Sequence, residues 1–342
     1  MKKNHTIADI AQLSGVSKGT VDRVLHNRGK VSKEAKVAVE KVLKEINYRP
    51  NVMARNLKRA KTYTIALFSP DPISDPYWME TNGVVREIIE DKGSLGIDIK
   101  PYYFDPFEAQ SFIEKIESFD SDNVDLVILS SIYYNESLFF IQQLRTKEIP
   151  YIVFNSTTEI SGALSFIGQD LKQSGRLAGH LMRMLSKGTG IIACFHLMEP
   201  FENTVHMKKK QIGVQQYFKD FTQEYKVENI NIIADSKQEY LQSINDYLIE
   251  LNPVAAYVSN SKANLVAEAL ALTNLKIPLI AYDKTEENLD YLKKGAIDFI
   301  IQQNPRKQLL KAFHMAVDFL VFQNTVKATL NFPLDIISKE NY

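Results

Sequence analysis

The 342-residue chain has one cysteine, Cys194, and one tryptophan, Trp78. A lone thiol excludes an internal disulfide framework and a cysteine-rich zinc site. Within Ile191-Ile192-Ala193-Cys194-Phe195 it reads as a small buried apolar residue. No stretch of about 18 uncharged apolar residues occurs, which excludes a transmembrane helix. The start, Met1-Lys2-Lys3-Asn4-His5-Thr6, is basic, yet no apolar run of signal-peptide length follows, so the expected location is the cytoplasm. The histidines never fall at His-x-x-x-His spacing, and no metal site is expected. There is no Walker A sequence and no Gly-x-Ser-x-Gly elbow, and Lys187-Gly188-Thr189-Gly190 reads as a turn rather than a dinucleotide fingerprint. No acid, base or nucleophile can be assigned, so neither enzyme chemistry nor a cofactor is expected.

What is present is an ordinary globular composition, 45% hydrophobic and 24% charged, over a length that suits two or three folding units. The net charge of zero conceals an asymmetry. Residues 1–61 carry 15 Lys and Arg against 5 Asp and Glu, a net of +10, which leaves −10 on the rest. A basic head on an acidic body points to a polyanion partner for the head: DNA, RNA or a membrane surface.

The head reads as short helices. Thr6-Ile7-Ala8-Asp9 is a capping box, followed by an apolar stripe of Ile7, Ile10 and Ala11. Gly15 ends that helix and Ser17 caps a second, lined by Val21, Val24 and Leu25. Ser32 caps a third, with Ala35, Val39, Val42, Leu43 and Ile46 on one face, and Asn47-Tyr48-Arg49-Pro50 stops it. Two short helices joined by Ser14-Gly15-Val16 form a helix-turn-helix signature. Ser17, Lys18, Thr20 and Arg23, at the start of the second helix, are types that reach phosphates and base edges.

The pieces His5-Thr6-Ile7-Ala8-Asp9-Ile10-Ala11, Gly15-Val16-Ser17, Thr20-Val21, Arg23-Val24-Leu25 and Asn47-Tyr48-Arg49-Pro50-Asn51, in this order, resemble the LacI family of bacterial transcription regulators across 5–62. The resemblance implies a dimer that reads double-stranded operator DNA with the second helix in the major groove of each half-site. It places Lys18 and Gly19 at base-choosing positions and makes Arg23 a base contact. It makes Ser17, Thr20 and Asn27 backbone contacts, with Thr6, Lys30, Asn51 and Lys58 completing the DNA-facing set. Two departures stand out: Gly19 has no side chain, and Asp22 replaces the family's usual serine. The segment 51–61 reads either as a flexible linker or, by resemblance, as a hinge helix. In the second case Leu57 wedges into the minor groove and Ala54 permits close approach.

From Thr64 onward, short apolar runs alternate with amphipathic stretches. Strands are expected at 64–68, 97–103, 124–129, 150–154, 165–168, 190–195, 227–233, 254–258, 277–282 and 297–301. Nine helices are expected between or after them, among them 76–91, 170–187, 204–222, 260–273 and 305–323. The alternation argues for doubly wound parallel sheets, and ten strands argue for two lobes. The resemblance adds a periplasmic-binding-protein-like (type I) body that closes on a small sugar-like effector. The expected domains are a helix-turn-helix head at 1–50, a hinge at 51–61 and a body at 62–342. Within the body, lobe 1 is expected at 62–164 plus 296–325, and lobe 2 at 165–295 plus 326–342.

The expected effector contacts lie at carboxyl ends of strands, where such folds bind ligands. Asp75, Tyr77 and Trp78 follow the first strand, with aromatic faces for a sugar ring and a carboxylate for hydroxyls. Asn155 ends the strand at 150–154, and Gln169 and Asp170 open the second lobe or cap its first helix. Asn260, Asp283 and Gln303 match family contacts. His206, Lys208 and Lys210 sit where relatives place a ligand-gripping arginine, and if the lysines face the cleft a sugar acid or phosphorylated sugar becomes reasonable. The expected function is a sequence-specific repressor, a homodimer under effector control. The rivals are a regulator with a purine corepressor, a solute-binding protein, and a sugar-processing enzyme with a fused head.

Overall fold

A computed structural model describes residues 5–25, 28–46, 62–156, 162–221 and 224–342. The chain divides into two compact units, Met1–Arg59 and Ala60–Tyr342.

In the first unit, helix Ile7–Ser14 starts with the expected capping box: Thr6 Oγ1 accepts from Asp9 N while Asp9 accepts from Thr6 N. Gly15 ends the helix at φ 67°, a left-handed conformation that costs glycine nothing. Helix Lys18–Leu25 follows, with Ser17 Oγ accepting from Thr20 N, and then helix Lys33–Glu45, with Ser32 accepting from Ala35 N. Ile10, Ala11, Val21, Val39 and Val42 form the core between them. Each fully buried Ile or Val contributes roughly 1.5–3 kcal/mol, so this small core suffices to fix the angle between the first two helices. Expectations for Asn27, Asn51, Ala54, Leu57 and Lys58 fall outside the described residues.

The described residues of the second unit form twelve strands: β1 Tyr63–Pro70, β2 Ile97–Phe104, β3 Leu126–Leu129, β4 Tyr151–Asn155, β5 Ser165–Gly168, β6 Ile191–Leu197, β7 Lys226–Ile232, β8 Ala255–Val258, β9 Leu279–Tyr282, β10 Phe299–Gln302, β11 Thr329–Asn331 and β12 Asp335–Ile337. They form two six-stranded sheets in the orders β11-β5-β4-β3-β1-β2 and β12-β10-β9-β8-β6-β7. All pairings are parallel except β10 with β12. Strands β3, β4, β8 and β9 are buried along their whole length, as parallel strands covered on both faces must be.

The lobe boundaries need correction. The strand at 165–168 pairs with β4 in the first sheet, Ile152 opposite Ser165 and Asn155 opposite Gly168, so the chain leaves the first lobe only after it. β10 pairs with β9 and belongs to the second sheet, not to lobe 1. β11 returns to the first sheet beside β5, and β12 ends in the second. The chain therefore crosses between lobes near 169, 303 and 333. The expected helix 76–91 is also two pieces, Pro76–Met79 and Val84–Lys92, separated around Asn82-Gly83.

Candidate functional site

On the head, Ser17, Lys18, Gly19, Asp22 and Arg23 are exposed and Thr20 is half-buried along helix Lys18–Leu25, while Thr6 and Lys30 are exposed on either side of it in sequence. Val21 is buried beneath them, so the apolar and polar faces separate as a reading helix requires. Ser17 Oγ lies 2.9 Å from Thr20 Oγ1, which fixes both hydroxyls at the helix start.

In the body, each sheet reverses its strand order at one point, between β1 and β3 in the first and between β6 and β8 in the second. Such switch points are where open α/β sheets bind ligands. Residues following exactly those strands line one pocket: Asp75, Tyr77, Trp78 and Ile132 from the first lobe, and Glu199, His206, Lys210, Asn260 and Ser261 from the second. Pro106, Phe107, Asn155, Asp283 and Gln303 complete it. The free cavity between these side chains is narrow, about 40 Å³.

Local geometry aims these side chains. Asn155, the last residue of β4, and Asp283, just past β9, sit at φ 70° and 63°, the left-handed region that Asn and Asp tolerate. Asp75 caps helix Pro76–Met79 by accepting from Tyr77 N at 2.9 Å, which turns Tyr77 and Trp78 into the lobe. Both rings are buried, Tyr77 edge-on to Trp78 at 4.9 Å and Trp78 edge-on to Phe154 at 6.2 Å. Asn155 Nδ2 donates to the Tyr77 hydroxyl. Burial, then the charge of Asp283, holds that phenol well above its ordinary pKa, so it stays a neutral hydroxyl.

In the second lobe, His206 and Lys210 are four residues apart on helix Val205–Phe221 and share its inner face. His206 Nε2 lies 2.8 Å from Glu199 Oε2, and Asn260 Nδ2 donates to Glu199 Oε1 at 3.0 Å. Burial pushes the Glu199 carboxyl up, but His206, Asn260 and Lys210 outweigh it and keep it ionised below its usual range. Lys210 is fully buried, donates to Ser259 O at 2.8 Å and lies 3.7 Å from the centre of the Tyr282 ring. Burial lowers its pKa against the pull of Asp283 and Glu199. Burial raises that of Asp283 against Lys210 and against Gln303, whose Nε2 donates to both carboxylate oxygens at 3.1 and 3.0 Å. Behind this cluster, burial pushes His196 down to about 4, so it is neutral.

Nine of the twelve residues expected at the effector site thus meet in one pocket. Three do not. Gln169 is buried at the lobe crossings, where its Nε2 donates to Gln302 O at 2.9 Å and to Pro333 O at 2.7 Å, tying all three crossing segments together. Asp170 is exposed and caps helix Leu171–Leu185 through Gln173 N. Lys208, two residues from His206, turns off the inner face and pairs with Glu202 at 2.9 Å. Sequence reasoning missed Pro106, Phe107, Ile132, Glu199 and Ser261. Glu199 follows an apolar strand, a position that signals a candidate; Phe107 and Ile132 carry no such mark.

The matched sequence models agree with this layout. Residues 6–51 match the bacterial regulatory proteins of the lacI family, and residues 65–324 match a periplasmic binding protein domain. The chain is 28% identical over 276 residues to a ribose operon repressor of Halalkalibacterium halodurans, covering 79% of this chain and 75% of that one. A crystal structure of a putative LacI transcriptional regulator from Bacteroides fragilis superposes with a TM-score of 0.75 at 26% identity, over 82% of this chain and 98% of that one. GanP, a glucose-galactose binding protein from Geobacillus stearothermophilus, shares the fold at a TM-score of 0.71 and 18% identity, over 82% of this chain and 99% of that one.

A helix-turn-helix head with a two-lobed, ligand-binding body defines a DNA-binding transcription regulator. The chain belongs to the lacI family of bacterial regulatory proteins.

Proposed function

We propose that the chain is a cytoplasmic repressor that binds its operator as a homodimer and changes operator affinity when a neutral, sugar-like molecule occupies the cleft. The observation that carries the ligand class is the make-up of the cleft wall. Trp78 and Phe107 offer ring surface, and Asp75, Asn155, Asn260, Asp283 and Gln303 offer hydrogen-bond partners at strand ends. The carboxylates are already engaged, Asp75 by Lys262, Glu199 by His206 and Asp283 by Gln303. No arginine is among the described lining residues, and Lys210 is flanked by Asp283 and Glu199. That balance favours a polyhydroxyl compound over a sugar acid or phosphate.

On the head, Lys18 and Arg23 read base edges, Ser17 and Thr20 hold phosphates, and Thr6, Asn27, Lys30, Asn51 and Lys58 add backbone contacts. Asp22 beside Arg23 selects an operator with a cytosine amine within reach. Residues 51–61 act as the hinge, with Ala54 and Leu57 at the minor groove. Two-fold half-sites require two heads. Among the described residues no helix is long and apolar enough to cross a membrane.

The test is operator binding by the full chain against a panel of neutral sugars, sugar phosphates and purines. A neutral sugar should shift the affinity. A purine acting alone would transfer the stacking role of Tyr77 and Trp78 to a base. No shift with any compound would overturn the effector assignment. Association is tested by sedimentation equilibrium, where a monomer at working concentration contradicts the dimer.

A further inference from the structure

Lys262 follows β8 in the second lobe and does not itself line the pocket, yet it touches three residues that do. Its backbone N–H donates to Asn260 Oδ1 at 3.3 Å. Its Nζ donates to Asp75 Oδ2 of the first lobe at 2.5 Å and lies 5.5 Å from the centre of the Phe107 ring, also of the first lobe. The side chains of Lys262 and Asp75 are only 16% and 7% exposed, so solvent and salt screen this pair weakly. Further polar links among the described residues join the same faces: Gln302 Nε2 donates to Glu80 at 2.9 Å, Asn203 Nδ2 donates to Glu136 at 2.9 Å, and Asn135 N donates to Asn203 Oδ1 at 3.3 Å. In each, the first-lobe group follows β1 or β3 and its partner ends or follows a strand of the second sheet.

We propose that Lys262 is the closure latch of the cleft, a positioning residue that sets how far the two lobes favour the closed arrangement and thereby the strength of the effector response. The latch acts by geometry. Closing the lobes brings Nζ onto a carboxylate that is held rigid as a helix cap by Tyr77 N, so little side-chain freedom on the Asp75 side is lost in forming the pair. Opening separates the pair and returns both ions to water, so the latch favours closure by what the charge-assisted hydrogen bond gains over that hydration. The consequence for operator affinity rests on the regulator reading above. The closure claim does not.

Trp78, the sole tryptophan, lies in the cleft and is 4% exposed, so its fluorescence reports closure with no ligand needed. The experiment is acrylamide quenching of the full-length protein and of Lys262→Gln, with Lys262→Arg and Lys237→Gln beside it. Lys237 pairs with Glu268 inside the second lobe and serves as the control. Lys262→Gln should raise the quenching constant at least about twofold, because loss of the pair turns a minor open state into a major one. Lys262→Arg keeps a cation at the position and should stay near wild type, as should Lys237→Gln. Asp75→Asn should mimic Lys262→Gln from the opposite lobe, and circular dichroism confirms that each variant is folded. Unchanged quenching in folded Lys262→Gln, or an equal rise in Lys262→Arg, overturns the latch. If quenching rises as expected while no sugar or purine alters operator binding, the latch stands and the effector assignment falls. Where a ligand is found, Lys262→Gln should displace operator affinity in the direction opposite to that ligand.

Discussion

Replacing Gly175 with alanine should unseat the helix that carries His206 and Lys210. Helix Leu171–Leu185 crosses helix Val205–Phe221 backbone to backbone, with Gly175 and Gly213 at the crossing. A Cβ at 175 would stand 1.9 Å from Lys210 O, 2.7 Å from its carbonyl carbon and 3.0 Å from its Cα. Carbon-to-carbonyl-oxygen contacts are comfortable at about 3.3 Å, so the helices must part by roughly 1 Å or more. Backbone receives the clash, so no flexible side-chain end can swing aside. Overpacking of this kind costs about 1–3 kcal/mol and sometimes more, and the rigid neighbour puts Gly175→Ala at the upper end. At roughly 2–4 °C per kcal/mol for a domain of this size, the melting temperature of the body should fall by about 6–12 °C. Calorimetry measures it, with Gly188→Ala as the control, since nothing lies within 4 Å of a Cβ there. The displaced Lys210 should also blunt any ligand response at temperatures where the variant is fully folded. A drop below about 2 °C, or one equal to that of Gly188→Ala, would refute the close crossing and the positioning of Lys210 drawn from it.

Arg23→Ala should cost about 1–3 kcal/mol in operator binding and relax specificity at one base pair, as competition against variant operators will show; a uniform loss across all sequences would make Arg23 a phosphate contact. Trp78→Ala should remove the ligand response and lower the body's stability by about 3 kcal/mol, because the ring packs on Phe154 and Tyr77, while operator affinity without ligand is retained. Neutral His196, pushed down to about 4 in the folded protein mainly by burial, binds no proton at a pH where the unfolded chain does. Its contribution is therefore present above about pH 6.5 and lost as pH falls towards 4, on the order of 3 kcal/mol in all. Denaturant titrations of wild type and His196→Gln across that window should diverge in slope, and parallel curves would contradict the assignment.

Much of the architecture is written locally. The head was legible because its caps are short-range: Thr6 with Asp9, Ser17 with Thr20 and Ser32 with Ala35 lie within one turn. The central strands were legible because parallel strands covered on both faces must be unbroken apolar runs, as Leu126–Leu129 and Leu279–Tyr282 are, whereas the edge strands β2 and β7 showed only a mixed pattern. Strands β11 and β12 were missed because they are three residues long, at most half-buried, and carry too little apolar pattern to register. The lobe membership of the strand at 165–168 was misread because pairing is a long-range fact: nothing within Ser165–Gly168 says that its partners are Tyr151–Asn155 and Thr329–Asn331.

The site followed the same division. A polar residue ending an apolar strand is a local mark, and it led to Asn155, Asn260, Asp283 and Gln303. Helical spacing separates Lys210 from Lys208, but which face turns inward depends on the packing of Gly213 against Lys172, which spacing alone does not reveal. Gln169 has the polar character of a ligand contact, yet its amide nitrogen is used up by two carbonyls at the lobe crossings. Lys262 is invisible at the level of sequence because its role exists only when Asp75, 187 residues away, is brought opposite.

The central claim is that one chain couples an operator-reading head to a ligand-gated body. It is tested most directly by selecting bound sequences from random duplex DNA with the full-length protein at near-physiological salt, once alone and once with pooled neutral sugars and purines. The account predicts enrichment of a two-fold symmetric site in one condition and its loss or marked weakening in the other. Enrichment that is identical in both, or none in either, would contradict it.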